Sequence, residues 1–366
     1  MWQETSMQAV QIDQYDALLA SKKQRIETQF SRFGIPNLET FSSPVKHFRQ
    51  RAEFKIWQTE DRCFHAMFER GSNNAPFEIT DFPIASEAIT KLMPVLLEEI
   101  NQNNELNRRL FQVEYLSTLS GEMLVTLIYH RKIGDAWIEQ AKVLKEKLGI
   151  HIIGRAKKLR ILLDQDHVIE TLNVDGKELH YKQIEGGFTQ PNAHVNQYML
   201  SWARSCAEGS QGDLLELYCG NGNFSIALAD KFRNVFATEI SKTSVKAAFD
   251  NKEMNNITNV NFARVSAEEF TAHMSGEHPR RRLKDCKLEE ADFQTILVDP
   301  PRAGLDEASC EMISHYPRII YISCNPDTLE QNLELLSKTH HIERFAMFDQ
   351  FPYTHHIESG VYLVKK

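Results

Sequence analysis

From residue 213 to its end, the chain alternates short apolar runs with longer segments in which apolar residues recur about every three to four positions. The runs in "LLELY", "FQTILVD" and "RIIYIS" are too short for helices, and their apolar residues follow one another without alternation. Strands buried on both faces read this way. Strand, helix and strand repeat in order, which predicts a parallel sheet covered on both sides: an α/β, Rossmann-like domain.

Residues 1–180 follow no such order. The pattern predicts a polar helix over about 13–33, strands near 48–58 and 62–69, and a helix near 85–103. Paired strands near 110–130, a helix near 135–148 and strands near 151–182 complete an α+β domain. At "EGGFTQPNAHVNQYML" glycines and a proline interrupt the chain, and a helix follows over about 192–206. These features predict an α+β domain over 1–180 and a Rossmann-like catalytic domain over 181–366. The segment "HPRRRLKDCKLEEAD" at 278–292 reads as a charged insertion, either a disordered loop or, through its three arginines, a phosphate contact.

Composition narrows the possibilities. The 366 residues are enough for two cores. No apolar run approaches a membrane span, and the start "MWQETSMQAVQIDQYD" does not resemble a signal peptide. A cytoplasmic protein with reduced thiols, and no contact with a membrane, is expected. No two of the six cysteines have metal-knuckle spacing, which argues against zinc and iron–sulfur sites. A net charge of −8 argues at first against nucleic acid. Local stretches soften this: "KHFRQRAEFKIW" at 46–57, "YHRKIG" at 129–134 and "GRAKKLR" at 154–160 mix basic with aromatic residues. Such patches either hold RNA phosphates, with Arg49 and Arg51 the candidates in the first, or are solvated faces.

The candidate chemistry lies in three loops. "LLELYCGNGNFSIALA" reads as strand, glycine turn and helix, with Gly220 and Gly222 allowing close backbone approach to a ligand. Glu239 ends the next strand, where an acid can hold a pair of ribose hydroxyls. Ser225 stands where a dinucleotide fold wants a third glycine, and Glu216 precedes the loop; both favour S-adenosylmethionine over NAD. A plain βα turn remains open. "DPPRAG" puts Asp299 at the carboxyl end of a strand, in a proline-stiffened loop suited to clamping a planar ring. Arg302 stands where enzymes methylating exocyclic amines carry an aromatic residue.

"YISCNPDT" then places Cys324 between a strand and a helix capped by Asn325, where a lowered thiol pKa is expected. A cysteine here either fills space or attacks. Carbon-5 of a pyrimidine is a poor nucleophile until a thiolate adds to carbon-6 and leaves a carbanion at carbon-5. Cysteine, S-adenosylmethionine and a ring clamp together therefore point to carbon-5 methylation. A base must then remove the carbon-5 proton. If 353–364 is a strand, Thr354, His356 and Glu358 share a face, and Glu358 supplies the carboxylate. A surface ion pair is the alternative for Glu358. Metal binding by His356 and Glu358 lacks a third ligand.

Together, "HFRQRAEF", "GGFTQPN", "ELYCGNGNFS", "DPPRAG", "YISCNPDTL" and "PYTHHIES" resemble the RNA uracil-C5 methyltransferases, specifically those acting on tRNA, over nearly the whole chain. The resemblance implies Cys324 as nucleophile and Glu358 as general base. It also implies that Gln190, Tyr218, Asn223, Glu239 and Asp299 line the S-adenosylmethionine and uracil pocket, with Gly220 in the loop. The substrate implied is the T-loop uridine of tRNA, converted to ribothymidine, with T-loop-like RNAs such as tmRNA as further substrates and the first domain gripping the RNA. A monomer is expected. Ribosomal relatives carry a cysteine-ligated cluster and an added barrel; Cys63 alone before residue 190 excludes the cluster, and the length leaves no room for the barrel. Two rivals remain: an NAD oxidoreductase, and an RNA-folding module whose methylation is secondary.

Overall fold

The computed structural model describes residues 12–68, 76–276, 283 and 288–366. In chain order, the elements begin with α1 (Tyr15–Gln29), β1 (Glu39–Phe41), β2 (Arg51–Gln58), β3 (Cys63–Met67) and β4 (Phe77–Glu78). Next come α2 (Glu87–Asn101), α3 (Asn104–Asn107), β5 (Leu110–Ser117), β6 (Met123–Tyr129) and α4 (Asp135–Leu148). They continue with β7 (His151–Ala156), β8 (Leu159–Leu162), β9 (His167–Val174), β10 (Lys177–Ile184) and α5 (Ala193–Cys206). The remainder runs β11 (Asp213–Leu217), α6 (Asn223–Leu228), β12 (Val235–Thr238), α7 (Lys242–Met254), β13 (Val260–Ala263) and α8 (Ala267–Met274), then β14 (Phe293–Val298). It ends with α9 (Glu307–Ile313), β15 (Arg318–Ser323), α10 (Pro326–Leu336), β16 (His340–Phe348) and β17 (Glu358–Lys365).

Two compact units result. The first gathers Pro44–Thr171 and Gln183–Ala193; the second gathers Asp13–Ser43, Leu172–Lys182 and His194–Lys366. The division is therefore not a single break after residue 180. Helix α1 and strand β1 fold with the second unit because β1 pairs in parallel with β16, Glu39 opposite Ala346. Ile26 and Phe30 also join that unit's core. An extended edge and one apolar stripe suffice to carry an N-terminal segment across a long sequence gap.

The first unit is a seven-stranded sheet of order β4-β3-β2-β5-β6-β7-β8, antiparallel except where β6 and β7, joined through α4, run parallel. At β5 the register slips: Leu110 pairs with Tyr129 and Gln112 with Ile128, which leaves Phe111 as an extra, bulged residue.

The second unit is an eight-stranded sheet of order β1-β16-β17-β15-β14-β11-β12-β13. All pairings are parallel except those of β17, which runs antiparallel to both neighbours. Leu215, Leu217, Ile296, Val298, Ile319, Tyr321, Val361 and Leu363 fill the core from the strands. The expected strand over 353–364 begins only at Glu358. Residues 353–357 form turns instead, because Thr354 Oγ1 donates to the Phe351 carbonyl at 2.9 Å and accepts from His356 N at 3.2 Å. The 278–292 insertion lies mostly outside the described residues. Among the described residues no helix is long and apolar enough to cross a membrane.

Candidate active site

Strand order places the crevice. The chain leaves β11 to one side towards β12 and returns on the other at β14, and ligands of open α/β sheets bind at that switch, outside the carboxyl ends of the strands. The glycine loop follows β11, Asp299 follows β14 and Cys324 follows β15. Strand β17 is antiparallel, so its first residue, Glu358, opens on the same rim. The register is explicit: Ser323 pairs with Ser359, which brings the next residue of one strand, Cys324, to the preceding residue of the other, Glu358.

Around the glycine loop, Tyr218 is held at φ 63°, a left-handed conformation costly for a bulky residue and typical of strained functional turns. Gly222 has φ 83°, and a Cβ there would come within 3.0 Å of the Phe262 ring. The Glu239 carboxylate accepts from Gly220 N at 3.1 Å and from Ser241 N at 2.7 Å, one bond to each oxygen. Each oxygen keeps a lone pair for a hydroxyl. Asn223 exchanges amide hydrogen bonds with Asn196 at 2.9 and 3.0 Å, and its carbonyl accepts from the Tyr181 hydroxyl at 3.0 Å. Its side chain therefore holds the loop in place. Beneath the loop, Glu216 is fully buried; one oxygen accepts from the Ser225 hydroxyl and the other, Oε1, has no protein partner. Burial, with Asp299 and Glu239 nearby, pushes its carboxyl up to about 8. A buried Glu216 oxygen without a protein partner and the remaining lone pairs of the Glu239 carboxylate fit a cationic, ribose-bearing ligand such as S-adenosylmethionine.

The DPPRAG loop is fixed from α10. Asn332 Oδ1 accepts from Leu305 N at 2.9 Å and from the Tyr321 hydroxyl at 2.7 Å, while its Nδ2 donates to the Leu305 carbonyl at 2.9 Å. Asn325 Nδ2 and Thr328 Oγ1 both donate to the Arg302 carbonyl, at 2.9 and 3.2 Å. Nothing in the sequence pattern marks Asn332 or Asn196, since their partners are far away along the chain.

The electrostatics correct one expectation. Cys324 does precede α10, whose N-cap Asn325 accepts from Asp327 N at 3.1 Å. Its thiol is nevertheless pushed up to about 12, first by burial and then by Glu358 and Asp299, with Arg302 opposing. Desolvation and two acidic neighbours outweigh the helix terminus. Glu358, only 3% exposed, is held well above the usual carboxylate range by burial and then by Asp299. Burial raises Asp299 itself to about 7. Among the described residues no group of three His, Cys, Asp or Glu is arranged to hold a metal ion.

In the first unit, Arg49 is buried at 8% exposure, which pulls its guanidinium down to about 9. Arg51 Nη1 donates to the Gly187 carbonyl at 2.7 Å. Gln190 lies half-buried in the Gln183–Ala193 segment of the same unit. The sheet also presents a platform that sequence reading found only in part. The bulge turns the Phe111 ring against His130, stacked at 3.8 Å and 18°, with Lys55 Nζ 4.1 Å above the Phe111 ring centroid. Phe111 and His130, with Trp57 and Arg109, line a cavity of about 370 Å³. Lys55, Trp57 and His130 fall within the basic–aromatic stretches; Phe111 does not, and no sequence signal announces the bulge.

A sheet of this order, with a glycine loop, a proline-stiffened acidic loop and a thiol on one rim, defines a Rossmann-like methyltransferase domain. The chain belongs to the tRNA (uracil-5-)-methyltransferase family, a family of methyltransferase enzymes, whose model matches residues 14–366. The tRNA/tmRNA (uracil-C(5))-methyltransferase of Chromohalobacter salexigens is 54% identical over 362 residues, covering 98% of this chain and 97% of its own. That of Psychromonas ingrahamii is 52% identical over 365 residues, covering 99% and 100%. Among solved structures, the tRNA (uracil-54, C5)-methyltransferase of Pyrococcus abyssi, in complex with S-adenosyl-L-homocysteine, aligns with a TM-score of 0.73. It covers 96% of this chain and 83% of its own at 21% identity, a likeness of fold.

Proposed function

We propose that this protein transfers the methyl group of S-adenosylmethionine to carbon-5 of the T-loop uridine of tRNA, the position named uracil-54 in the Pyrococcus neighbour, giving ribothymidine. It accepts tmRNA as well, in line with the names of its relatives. The observation that carries the reading is the convergence of Cys324, Glu358 and Asp299 on one rim.

Glu239 holds the ribose hydroxyls, and Tyr218, Gly220 and Asn223 shape the loop beside it. The target base leaves its stack to reach the rim. Asp299 accepts from the pyrimidine ring. Cys324 loses its proton to solvent and, as thiolate, forms a bond to carbon-6 as the carbon-5–carbon-6 double bond opens. The electron pair displaced to carbon-5 attacks the sulfonium methyl, whose bond to sulfur breaks to leave S-adenosylhomocysteine. Glu358 then takes the carbon-5 proton; the pair left behind forms the carbon-5–carbon-6 double bond as the sulfur–carbon bond breaks. RNA contact falls to the first unit, where the Phe111–His130 platform offers a stacking surface for an unpaired base with Lys55 and Arg109 for phosphates. Arg49 and Arg51 are assigned to phosphate contact in the same reading.

The test uses tRNA containing 5-fluorouracil together with methyl-labelled S-adenosylmethionine. Fluorine cannot leave as a cation, so wild-type enzyme should form a labelled RNA–protein adduct that survives denaturing electrophoresis. Cys324→Ala should form none. An adduct with Cys324→Ala would move the nucleophile elsewhere, and labelling of a base other than a T-loop uridine in normal tRNA would overturn the substrate.

A further inference from the structure

Lysine is rarely buried without a purpose. Lys22 of α1 is 7% exposed, and its Nζ donates to Asp349 Oδ1 at 2.7 Å and to the Phe351 carbonyl at 2.8 Å. Asp349 is 3% exposed and also takes a hydrogen bond from the Tyr15 hydroxyl. Its backbone N–H donates to the Phe41 carbonyl at 2.9 Å. The Tyr15 oxygen accepts from Ser43 N at 2.8 Å, and its ring lies 5.9 Å from that of Tyr353. Tyr353 is held at φ 62°.

All of these contacts converge on one segment, the loop from Asp349 to Ile357. Its two ends are joined by the pairing of Phe348 with Glu358. The loop ends at Glu358 and carries His356, whose Nδ1 lies 3.3 Å from an Arg302 guanidinium nitrogen. A buried ion pair is seldom more stabilising than apolar residues of the same volume, so stability alone does not account for a charge here. What the ammonium does that a methylene could not is bind the loop twice, through a side chain and through a carbonyl two residues on. It braces the turn that contains the strained Tyr353.

We propose that Lys22, seated on Asp349 and Tyr15, is a positioning residue for the general base: it fixes the loop from which Glu358 is presented to carbon-5. The inference rests on Glu358 being that base. Its effect belongs to one step, in which the Glu358 carboxylate takes the carbon-5 proton, the C–H pair becomes the double bond, and the sulfur of Cys324 leaves with its own pair. Addition and methyl transfer precede that step and do not use the loop.

The experiment follows single turnovers of full-length enzyme with tRNA and methyl-labelled S-adenosylmethionine, resolving formation and decay of the covalent adduct. Lys22→Met should form the adduct near the wild-type rate and release it on the order of ten- to a hundredfold more slowly, the scale of a small misplacement. KM for tRNA should stay within about twofold, because binding is not at issue. Lys22→Arg should recover part of the release rate. Lys22→Met leaves Asp349 buried without its cation, so Lys22→Met/Asp349→Asn is measured beside it. That pair should regain the wild-type melting midpoint and still release slowly. Recovery of both would make the ion pair a packing feature and overturn the proposal, as would a defect in adduct formation instead of release. Glu358→Gln serves as the control. If it turns over normally, the assignment of the base has failed. If it stalls while Lys22→Met releases at the wild-type rate, only the role of Lys22 has failed.

Discussion

Glu358→Gln removes one proton acceptor and one charge while preserving shape, and the structure predicts opposite effects on the two halves of the cycle. A positioned general base contributes about 10²–10⁴-fold, so steady-state turnover should fall by that factor. Addition should not fall with it. Burial and Asp299 raise the Glu358 carboxyl and so favour its protonated form beside Cys324, and glutamine, equally neutral, puts no new charge against the thiol. Glutamine also leaves no unpaired charge on a residue only 3% exposed, so the fold should persist. With normal tRNA and methyl-labelled S-adenosylmethionine, the variant should accumulate a labelled adduct visible on a denaturing gel. The pH profile gives a second readout. The wild-type rate should rise with pH through neutrality, because burial raises Asp299 to about 7 and holds Glu358 and Cys324 above their ordinary values. In the variant the addition limb should stay where it is in the wild type. Normal turnover, or an adduct without label, would refute the assignment; the second outcome would place Glu358 before methyl transfer.

Three other predictions follow from separate parts of the molecule. Phe111→Ala should weaken tRNA binding by about 1–3 kcal/mol, the value of one stacked base, and leave S-adenosylmethionine binding intact; unchanged tRNA affinity in a filter assay would remove the platform from the RNA contacts. Glu239→Ala should raise the S-adenosylmethionine Kd roughly ten- to a hundredfold by loss of charge-assisted hydrogen bonds, read by equilibrium dialysis, and an unchanged Kd would leave Glu239 as a cap for the Gly220 and Ser241 amides alone. Glu170 is fully buried in the first unit and its carboxyl is raised from 4.5 to about 7, chiefly by burial. Because the folded state holds that proton more tightly, the group's contribution is present below its ordinary pKa and is lost as pH rises through about 7. Glu170→Gln should therefore flatten the pH dependence of the unfolding free energy between these values and raise that free energy at pH 8 by up to a few kcal/mol, read by denaturant titration, and an unchanged slope would refute this.

The parts of this protein legible in its sequence are those fixed by local pattern. Apolar runs marked β14 and β15, and the loops after them put Asp299 and Cys324 at strand ends without reference to anything distant. What stayed hidden depends on partners far along the chain. Nothing local in α1 announces that Ile26 and Phe30 will enter the catalytic core, or that β1 will pair with β16. The residues 353–357 have the composition of a strand, but the Thr354 hydroxyl offers its neighbours hydrogen bonds that compete with a ladder. Phe111 fits an alternating strand on paper, and only the register slip against Tyr129 and Ile128 exposes it. The thiol departs from the expected lowered value for a related reason. A helix terminus can be read from Asn-Pro-Asp, whereas the desolvation and the carboxylates opposite come from β17 and the DPPRAG loop.

Those same raised values explain how one site can both add a thiolate and remove a proton. With Cys324, Asp299 and Glu358 all ionised, three negative charges would crowd one rim against the opposing guanidinium of Arg302. The resting site avoids this by keeping protons, so Glu358 is neutral when Cys324 must form its thiolate, and the two do not repel. On the proposed mechanism, addition to carbon-6 turns the sulfur into a neutral thioether and passes its charge to the pyrimidine. Methyl transfer then discharges that carbanion against the sulfonium. Once both have happened, no thiolate stands beside Glu358, and its carboxyl ionises against Asp299, the like charge that raises it together with burial. A carboxylate that has been costly to form is also a stronger base, which suits a proton held on carbon. The order of the reaction, addition before proton removal, then follows from electrostatics at a fixed rim and requires no movement of the base.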